Sequence, residues 1–324
     1  FCPFHLPMTT QSTTLPHLKA PPTRRRASAS QRREAIEGIL YLSPWIIGFL
    51  LFVAYPLLRS MYLSFTKYNV LRPAQFIGFD NYVTAFMEDP QFIPSIWRTF
   101  YYAGLSVPLA LIGSLVVAIL LNQKLAATTV WRTMYFLPTL TPLIAATLLW
   151  RWMLNPEVGL INYLLGQIGI EGPGWLGSTR WAVPSLVLMG LWASVGGSRM
   201  IIFLAGLQDV PKELLESAEI DGAGTWARFW HVTLPMISPT IFFNLVLGMI
   251  FALRTFEAAF ISTNGGPAWA TWFISLHIYQ SAFVSFDMGY ASALSWVFFL
   301  IVMLLTLIQF WLSGRWVFYA GERR

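Results

Sequence analysis

The chain has 324 residues, of which 56% are hydrophobic, 16% aromatic and only 11% charged, and its mean hydropathy is +0.58. Soluble domains carry about 25% charged residues, so this composition excludes a soluble globular protein and points to a polytopic membrane protein. The net charge of +6 is not gathered on a folded face, which excludes nucleic acid as a partner and suits loops touching anionic lipid headgroups.

The one cysteine, Cys2, precedes the first methionine, Met8. Translation is therefore expected to start at Met8, leaving no disulfide or thiol chemistry. Between Met8 and Glu34 the chain is rich in Ser, Thr and Pro and carries Arg24, Arg25, Arg26, Arg32 and Arg33 with no acidic residue. Residues 1–38 read as a disordered, basic, cytoplasmic tail. An Arg-rich, acid-poor leader also fits an organellar transit peptide, but the apolar run over 39–65 is too long and bulky for a cleaved signal segment. It reads as a retained first span.

Apolar runs of about 20 residues are expected to span a bilayer, and six occur, over 39–63, 97–121, 134–154, 183–204, 240–262 and 289–312. An even count puts both termini on one side. Lys19, the leader arginines, Lys124, Arg132, Lys212, Arg228, Arg315, Arg323 and Arg324 fall on that side, against Lys67, Arg72 and Arg180 on the other. The excess of positive charge predicts cytoplasmic termini. The external segments 66–96, 155–182 and 263–288 are too short for substantial domains and contain turn formers such as Asn155–Pro156 and Gly265–Gly266–Pro267. Trp97, Trp150, Trp152, Trp311, Trp316 and Tyr319 lie near span ends, as interfacial anchors do. The predicted fold is all-α: one membrane domain over 39–314, preceded by the basic tail and followed by a short cytoplasmic tail, 315–324.

The third cytoplasmic loop, 207–238, is chemically distinct. Asp209 suits a helix cap, Pro211 a first turn and Glu213 the positive end of the helix dipole, which predicts a helix from Pro211 to about Ile220. Gly222 lets the backbone leave in a left-handed conformation. Thr225 is then expected to cap a second short helix through Trp226 and Phe229 toward Val232. Leu214, Leu215 and Ala218 offer apolar surface, and Glu216, Glu219 and Asp221 offer charge. Such a knob suits a partner's groove; on local pattern alone, a solvated amphipathic loop is the simpler reading.

Polar groups inside spans mark a pathway or a packing contact. Gly248, Ala252 and Thr255 share a helical face by spacing, and both readings fit them. Arg254 and Glu257, three residues apart, are expected to pair across a turn, either as a structural ion pair or as solute contacts. Arg199 has no evident local partner. Gly172, Gly174 and Gly177 satisfy G-x-G-x-x-G but lie in an external loop without the strand and helix of a dinucleotide fold. His5, His17, His231 and His277 are dispersed, and no cluster with metal-ligand spacing appears. No convergent nucleophile and base support an enzyme. An ion-coupled secondary transporter or channel would need an ion site or inverted repeat, and neither is visible; a structural membrane scaffold is a third alternative.

Glu216, Ala218, Gly222, Leu234 and Pro235 match the spacing of the EAA loop of binding-protein-dependent ABC importer permeases. The resemblance extends through Gly206–Leu207–Gln208, Asp221–Gly222–Ala223, Phe229, Thr263–Asn264–Gly265–Gly266–Pro267, Ala282–Phe283 and Gly289–Tyr290–Ala291–Ser292–Ala293. Upstream it includes Tyr55–Pro56, Ser64–Phe65–Thr66 and Gly78–Phe79–Asp80–Asn81–Tyr82. These features resemble the carbohydrate-uptake branch, particularly the larger maltose permease subunit. Ser217 replaces the usual Ala and Val232 the usual Ile.

The resemblance implies a six-helix type I importer permease in the cell inner membrane, paired with a second permease subunit, two ATPase subunits and an external solute-binding protein. No G-x-x-x-x-G-K-[ST] phosphate loop occurs in these residues, so ATP and Mg are expected on the ATPases and no cofactor on this chain. Coupling is expected at Glu216, Ala218, Asp221, Gly222 and Ala223. Carry-over along the chain marks Thr139 and Leu143 after Leu137–Pro138, and Ser194 and Ser198 before Gly206–Leu207, with a one-residue gap in 194–197. It aligns Gly248, Ala252 and Thr255 with the stripe that contacts sugar in the maltose permease. Only Thr255 keeps a hydroxyl there, which disfavours maltose and leaves sugars, polyols or glycerol phosphates as the implied sugar-like solutes.

Overall fold

A computed structural model of the chain describes residues 29–123 and 127–318. Cys2, His5, Met8, His17, Lys19, Arg24, Arg25, Arg26, Lys124, Tyr319, Arg323 and Arg324 lie outside the described residues. The chain divides into two units, 1–57 and 58–324. In the first, helix α1 (Ala29–Phe49) passes through Pro44 and into a π-helical turn, Leu50–Ala54. Its Trp45 and Phe49 rings stack at 5.7 Å.

The unit boundary falls within α2 (Tyr55–Ser64). A two-stranded antiparallel sheet then pairs β1 (Thr66–Lys67) with β2 (Gln75–Phe76), Thr66 opposite Phe76. This small ribbon was not expected from the all-α pattern, because two-residue strands leave no periodicity to read. The short α3 (Asp80–Val83) and a π-helical turn lead to α4 (Phe92–Asn122). Next come α5 (Thr128–Phe136), α6 (Leu143–Met153) and α7 (Leu160–Gln167), followed by α8 (Ala182–Ser194) and α9 (Ser198–Gln208). The loop helices are α10 (Lys212–Ile220), α11 (Thr225–Arg228) and α12 (Leu234–Met236). The chain closes through α13 (Ser238–Leu253), α14 (Glu257–Ser262), α15 (Ile274–Tyr279) and α16 (Met288–Ser313).

Backbone polar groups in a bilayer must be satisfied within the chain, which makes helices the available spanning element here. Three are continuous and long enough to cross: Ile36–Ser64, Phe92–Asn122 and Met288–Ser313. Three bent helix pairs add up to three more if each is counted as one span: Thr128–Leu140 with Leu143–Met153 at 94°, Ala182–Ser194 with Ser198–Gln208 at 54°, and Thr225–Met236 with Ser238–Leu253 at 64°. Counted so, the expected six are reached, and three spans expected as straight are broken. Pro138 and Pro142 end the first half of the 134–154 span, since proline gives up a helical donor. Gly196 and Gly197 interrupt the 183–204 span. The 240–262 span is the largest correction: α13 stops at Leu253, and residues 254–256 separate it from α14.

α4 is the central helix, packed against α8, α9, α13 and α15. Toward its C-terminus, Val117, Ala118 and Leu121 form one buried cluster with Met200, Phe203, Leu204 and Leu207 of α9. Toward its N-terminus, Tyr102 joins Leu186, Val187 and Phe273. Between apolar helices in lipid, such contacts stabilise through close packing and dispersion.

At the start of α4 a polar clasp ties distant segments together. Asp89 Oδ2 accepts hydrogen bonds from His277 Nε2 at 2.7 Å and from the Tyr290 hydroxyl at 2.6 Å, while Asp89 Oδ1 accepts from the Gln91 N–H at 2.8 Å. Trp272 Nε1–H donates to His277 Nδ1 at 3.0 Å. Indole nitrogen is only a donor, so the proton of the imidazole sits on Nε2 and is directed at Asp89. Burial alone would raise the Asp89 pKa, but the bonds from Tyr290 and Gln91 outweigh it and hold the carboxyl below its ordinary value.

Candidate functional site

The two most strongly constrained helix breaks meet each other. Thr139, in the 3-10 turn Leu137–Leu140 between α5 and α6, donates its hydroxyl to the Ala193 carbonyl at 3.3 Å. A Cβ at Gly196 would run into the Tyr135 carbonyl oxygen, and one at Gly197 would lie 2.6 Å from Thr139 Oγ1. Only glycine leaves room for the Tyr135 carbonyl and the Thr139 side chain at these two positions. Broken helices of this kind place turn backbone and small polar side chains at membrane depth, where a cavity lining is tolerated.

Three adjoining cavities surround the breaks, of about 180, 250 and 210 Å³. Ser194 lines all three. Gly248 and Ala252 line the first, Leu143, Thr255 and Glu257 the second, and Thr139, Ser198 and Gly248 the third. The structure thus brings together every path residue expected from the sequence except Arg254. That side chain is exposed and lines none of the three cavities. The expected Arg254–Glu257 ion pair does not form, because the helix ends between them: Arg254 caps α13, and Glu257 opens α14. For the same reason Thr255 leaves the helical face of Gly248 and Ala252, its N–H bonding back to the Ala252 carbonyl at 3.2 Å.

Sequence reasoning missed the contribution of α4. Tyr102 lines the first two cavities and Ser106 the first. A usable signal existed in the stripe Ser106, Ala110 and Ser114, spaced four apart on one face. Ser114 Oγ bonds the Ala110 carbonyl at 2.6 Å and the Ser194 carbonyl at 3.3 Å.

The second site feature is the loop knob. α10 ends as expected at Gly222, whose φ is +81°. The Gly222 N–H bonds the Glu219 carbonyl at 3.0 Å, and the Ala223 N–H bonds the Ala218 carbonyl at 2.9 Å. Together they form the paired closure of a Schellman cap. Ala218 and Ala223 are therefore the two ends of that cap, and Gly222 is its left-handed pivot. Glu216 and Asp221 are exposed.

Three local expectations are corrected. Asp209 caps the end of α9 and does not cap α10; Pro211 stands at the cap position, one residue before the helix; and Gly224, not Thr225, precedes α11. The expected side-chain caps are not used: the Asp209 N–H bonds the Ala205 carbonyl at 3.1 Å, and the Arg228 N–H bonds the Gly224 carbonyl at 3.0 Å. From Thr225 the helix continues to Met236 through a π-helical turn, beyond the expected end near Val232. Arg228 Nη1 donates to Glu219 Oε2 at 2.6 Å, fixing α11 to α10. Leu214, Ile220 and Trp226 remain exposed on this knob. Among the described residues no group of three or more His, Cys, Asp or Glu side chains is placed to hold a metal ion.

Bent spans around largely apolar cavities that hold a few hydroxyls, Arg199 and Glu257, with an exposed knob joining two of them, define a multi-pass membrane permease. Residues 82–317 match the family described as the binding-protein-dependent transport system inner membrane component, and the chain belongs to that family. It is 40% identical over 301 residues to the probable ABC transporter permease protein YesP of Bacillus subtilis, covering 92% of this chain and 96% of that protein. It is 36% identical to the sulfoquinovosyl glycerol transport system permease protein SmoG of Agrobacterium fabrum, covering 84% and 88%. Among solved structures, a chain of a bacterial alginate ABC transporter, in complex with its alginate pentasaccharide-bound periplasmic protein, superposes with a TM-score of 0.77. The identity is 26%, and the match covers 88% of this chain and 96% of that one. The protein is a permease subunit of a binding-protein-dependent importer.

Proposed function

We propose that this chain pairs with a second permease subunit, that ATPase subunits, two per transporter, drive it through the α10–α11 knob, and that an external binding protein delivers a sugar or sugar-like solute to its cavities. The observation that carries this reading is the knob itself. Large apolar side chains stand in the open on a loop, Ile220 at 87% and Trp226 at 71% exposure, beside the carboxylates Glu216 and Asp221. An apolar patch rimmed with charge marks a protein interface. Glu216 and Asp221 orient the ATPase, Ala218 permits close packing, and the cap at Gly222 and Ala223 makes α10 a rigid lever. ATP and Mg belong to the ATPases, and this chain binds no cofactor.

The path is supported by the other exposures. Thr139, Leu143 and Ser198 line the cavities yet are exposed on this chain, as expected for a cavity completed by a second permease. A sugar-like solute is supported by the relatives, whose names specify sulfoquinovosyl glycerol and alginate. Lys212 and Arg228 on the 207–238 loop and Arg315 just after α16 support cytoplasmic termini.

Gentle solubilisation of native membranes, capture through an affinity tag and mass spectrometry of the co-purifying chains test the assembly. Recovery of a second permease and an ATPase is expected. A chain recovered alone that transports after reconstitution without ATP would instead be a secondary transporter.

A further inference from the structure

We propose that the cavity between α4, α8, α9 and α13 is a subsite for an anionic group on the solute, with Arg199 meeting the negative charge and Ser106 supplying a second donor. The inference rests on the solute path described above and adds the charge class of its cargo. Arg199 lies in the first turn of α9, and its Nη1 is buried without a hydrogen-bond partner. Ser106 Oγ, on α4, is buried and unpartnered as well. Both residues line the same cavity of about 180 Å³. Two of the unsatisfied buried side-chain atoms among the described residues thus converge on one space.

A buried guanidinium nitrogen without a partner is costly, and within a membrane such a charge is retained where it meets a counter-charge or a substrate. No acidic side chain lines this cavity or the adjoining one that Arg199 also lines. The acid of the neighbouring cavity, Glu257, is grouped there with Thr255. Room for the guanidinium is provided by a missing side chain: a Cβ at Gly248 would stand 3.1 Å from Arg199 Nη2. The planar fork of an arginine matches carboxylate, sulfonate or phosphate oxygens in a way that a neutral hydroxyl does not reproduce. Beside it, Trp150 and Trp192 line the second cavity with rings 6.2 Å apart. They offer an apolar face for a sugar ring whose acidic substituent reaches Arg199.

The test uses the assembled transporter in nanodiscs and two matched pairs of radiolabelled probes: digalacturonate with its carboxyl-reduced neutral counterpart, and glycerol phosphate with glycerol. At least one anionic probe is expected to bind more tightly than its neutral partner. Arg199→Gln should weaken that binding tenfold or more and leave the neutral probe unaffected, whereas Arg199→Lys should retain part of it. Equal binding of charged and neutral partners, no binding of either anion, or an unchanged affinity in Arg199→Gln overturns the proposal. So does loss of the second permease from Arg199→Gln preparations, which would assign the guanidinium to a carboxylate of that subunit. If binding in phosphatidylcholine discs disappears in phosphatidylglycerol discs, the anion is a lipid headgroup and the solute subsite is wrong. Failure of the wild-type chain to co-purify with an ATPase would instead refute the importer assignment.

Discussion

Gly222 isolates the lever idea from simple crowding. Its φ of +81° lies in the left-handed region, and nothing stands within 4 Å of where a Cβ would be. A side chain there meets no steric wall, so the whole effect comes from the backbone. A left-handed conformation costs an L-residue roughly 1–2 kcal/mol, toward the upper end for a β-branched residue. About 2 kcal/mol is a factor of roughly 30 in the equilibrium between a closed and an opened cap. Opening the cap frees the Glu219 and Ala218 carbonyls and lets α10 swing independently of α11. Gly222→Val should therefore insert into membranes normally but lose several-fold or more of both solute-stimulated ATP hydrolysis and uptake. Gly222→Asn, which tolerates the left-handed region, should stay near wild type. The assay is ATPase rate and uptake of the same proteoliposomes, normalised to inserted chain. If Val and Asn behave alike, or if Val couples fully, the pivot is not what transmits the motion and the reasoning is refuted.

Other outcomes follow from the same geometry. Glu219→Gln removes a surface ion pair whose carboxylate side chain is 67% exposed, an interaction worth about 0.5 kcal/mol; uptake should change less than twofold, and a larger loss would show that Glu219 itself touches the ATPase. Gly196→Ala forces a Cβ against the Tyr135 carbonyl oxygen, a backbone clash that no rotamer relieves, so the yield of assembled complex should fall sharply; a normal yield would mean the breaks do not cross as described. The lowered pKa of Asp89 means that its contribution is complete above the ordinary carboxylate value of about 3.9 and is lost as pH falls through the lowered one. Asp89→Asn should lower the melting midpoint at neutral pH by roughly 3–6 °C and remove that acid-side decline, and an unchanged pH profile would place the clasp outside the cooperative unit.

The number and approximate position of the spans were legible because long apolar runs admit few alternatives. The Gly222 turn was equally legible, since glycine after an amphipathic helix has a specific conformational use. What could not be read were contacts made across the chain. The Arg254–Glu257 pairing assumed an unbroken helix, and neither residue signals the break between them, since Leu253, Arg254, Thr255 and Phe256 contain no proline or glycine. The side-chain caps at Asp209 and Thr225 were plausible locally, but Asp209 ends α9 and α11 starts one residue earlier, after Gly224, so neither side chain stands at the cap it was assigned. The His277–Asp89 bond joins residues 188 apart in the chain, and no local spacing predicts such a partner.

The breaks that the apolar pattern concealed are also where the polar residues gather. A run such as 183–204 reads as one span because hydropathy averages over Gly196 and Gly197, yet these two residues admit the Tyr135 carbonyl and the Thr139 side chain beside the wall that Ser194 and Arg199 line. A straight helix would satisfy its own backbone and leave no place for a solute. Bending it costs local hydrogen bonds, some of which are recovered between segments, as in the Thr139–Ala193 bond. A cross-segment bond of that kind can be exchanged by a shift of one segment, whereas an intact helical ladder cannot be exchanged without melting. The discontinuities thus bring hydroxyls and Arg199 into an otherwise apolar wall and replace part of the helical ladder with a bond between segments, while the buried clusters on α4 keep their packing.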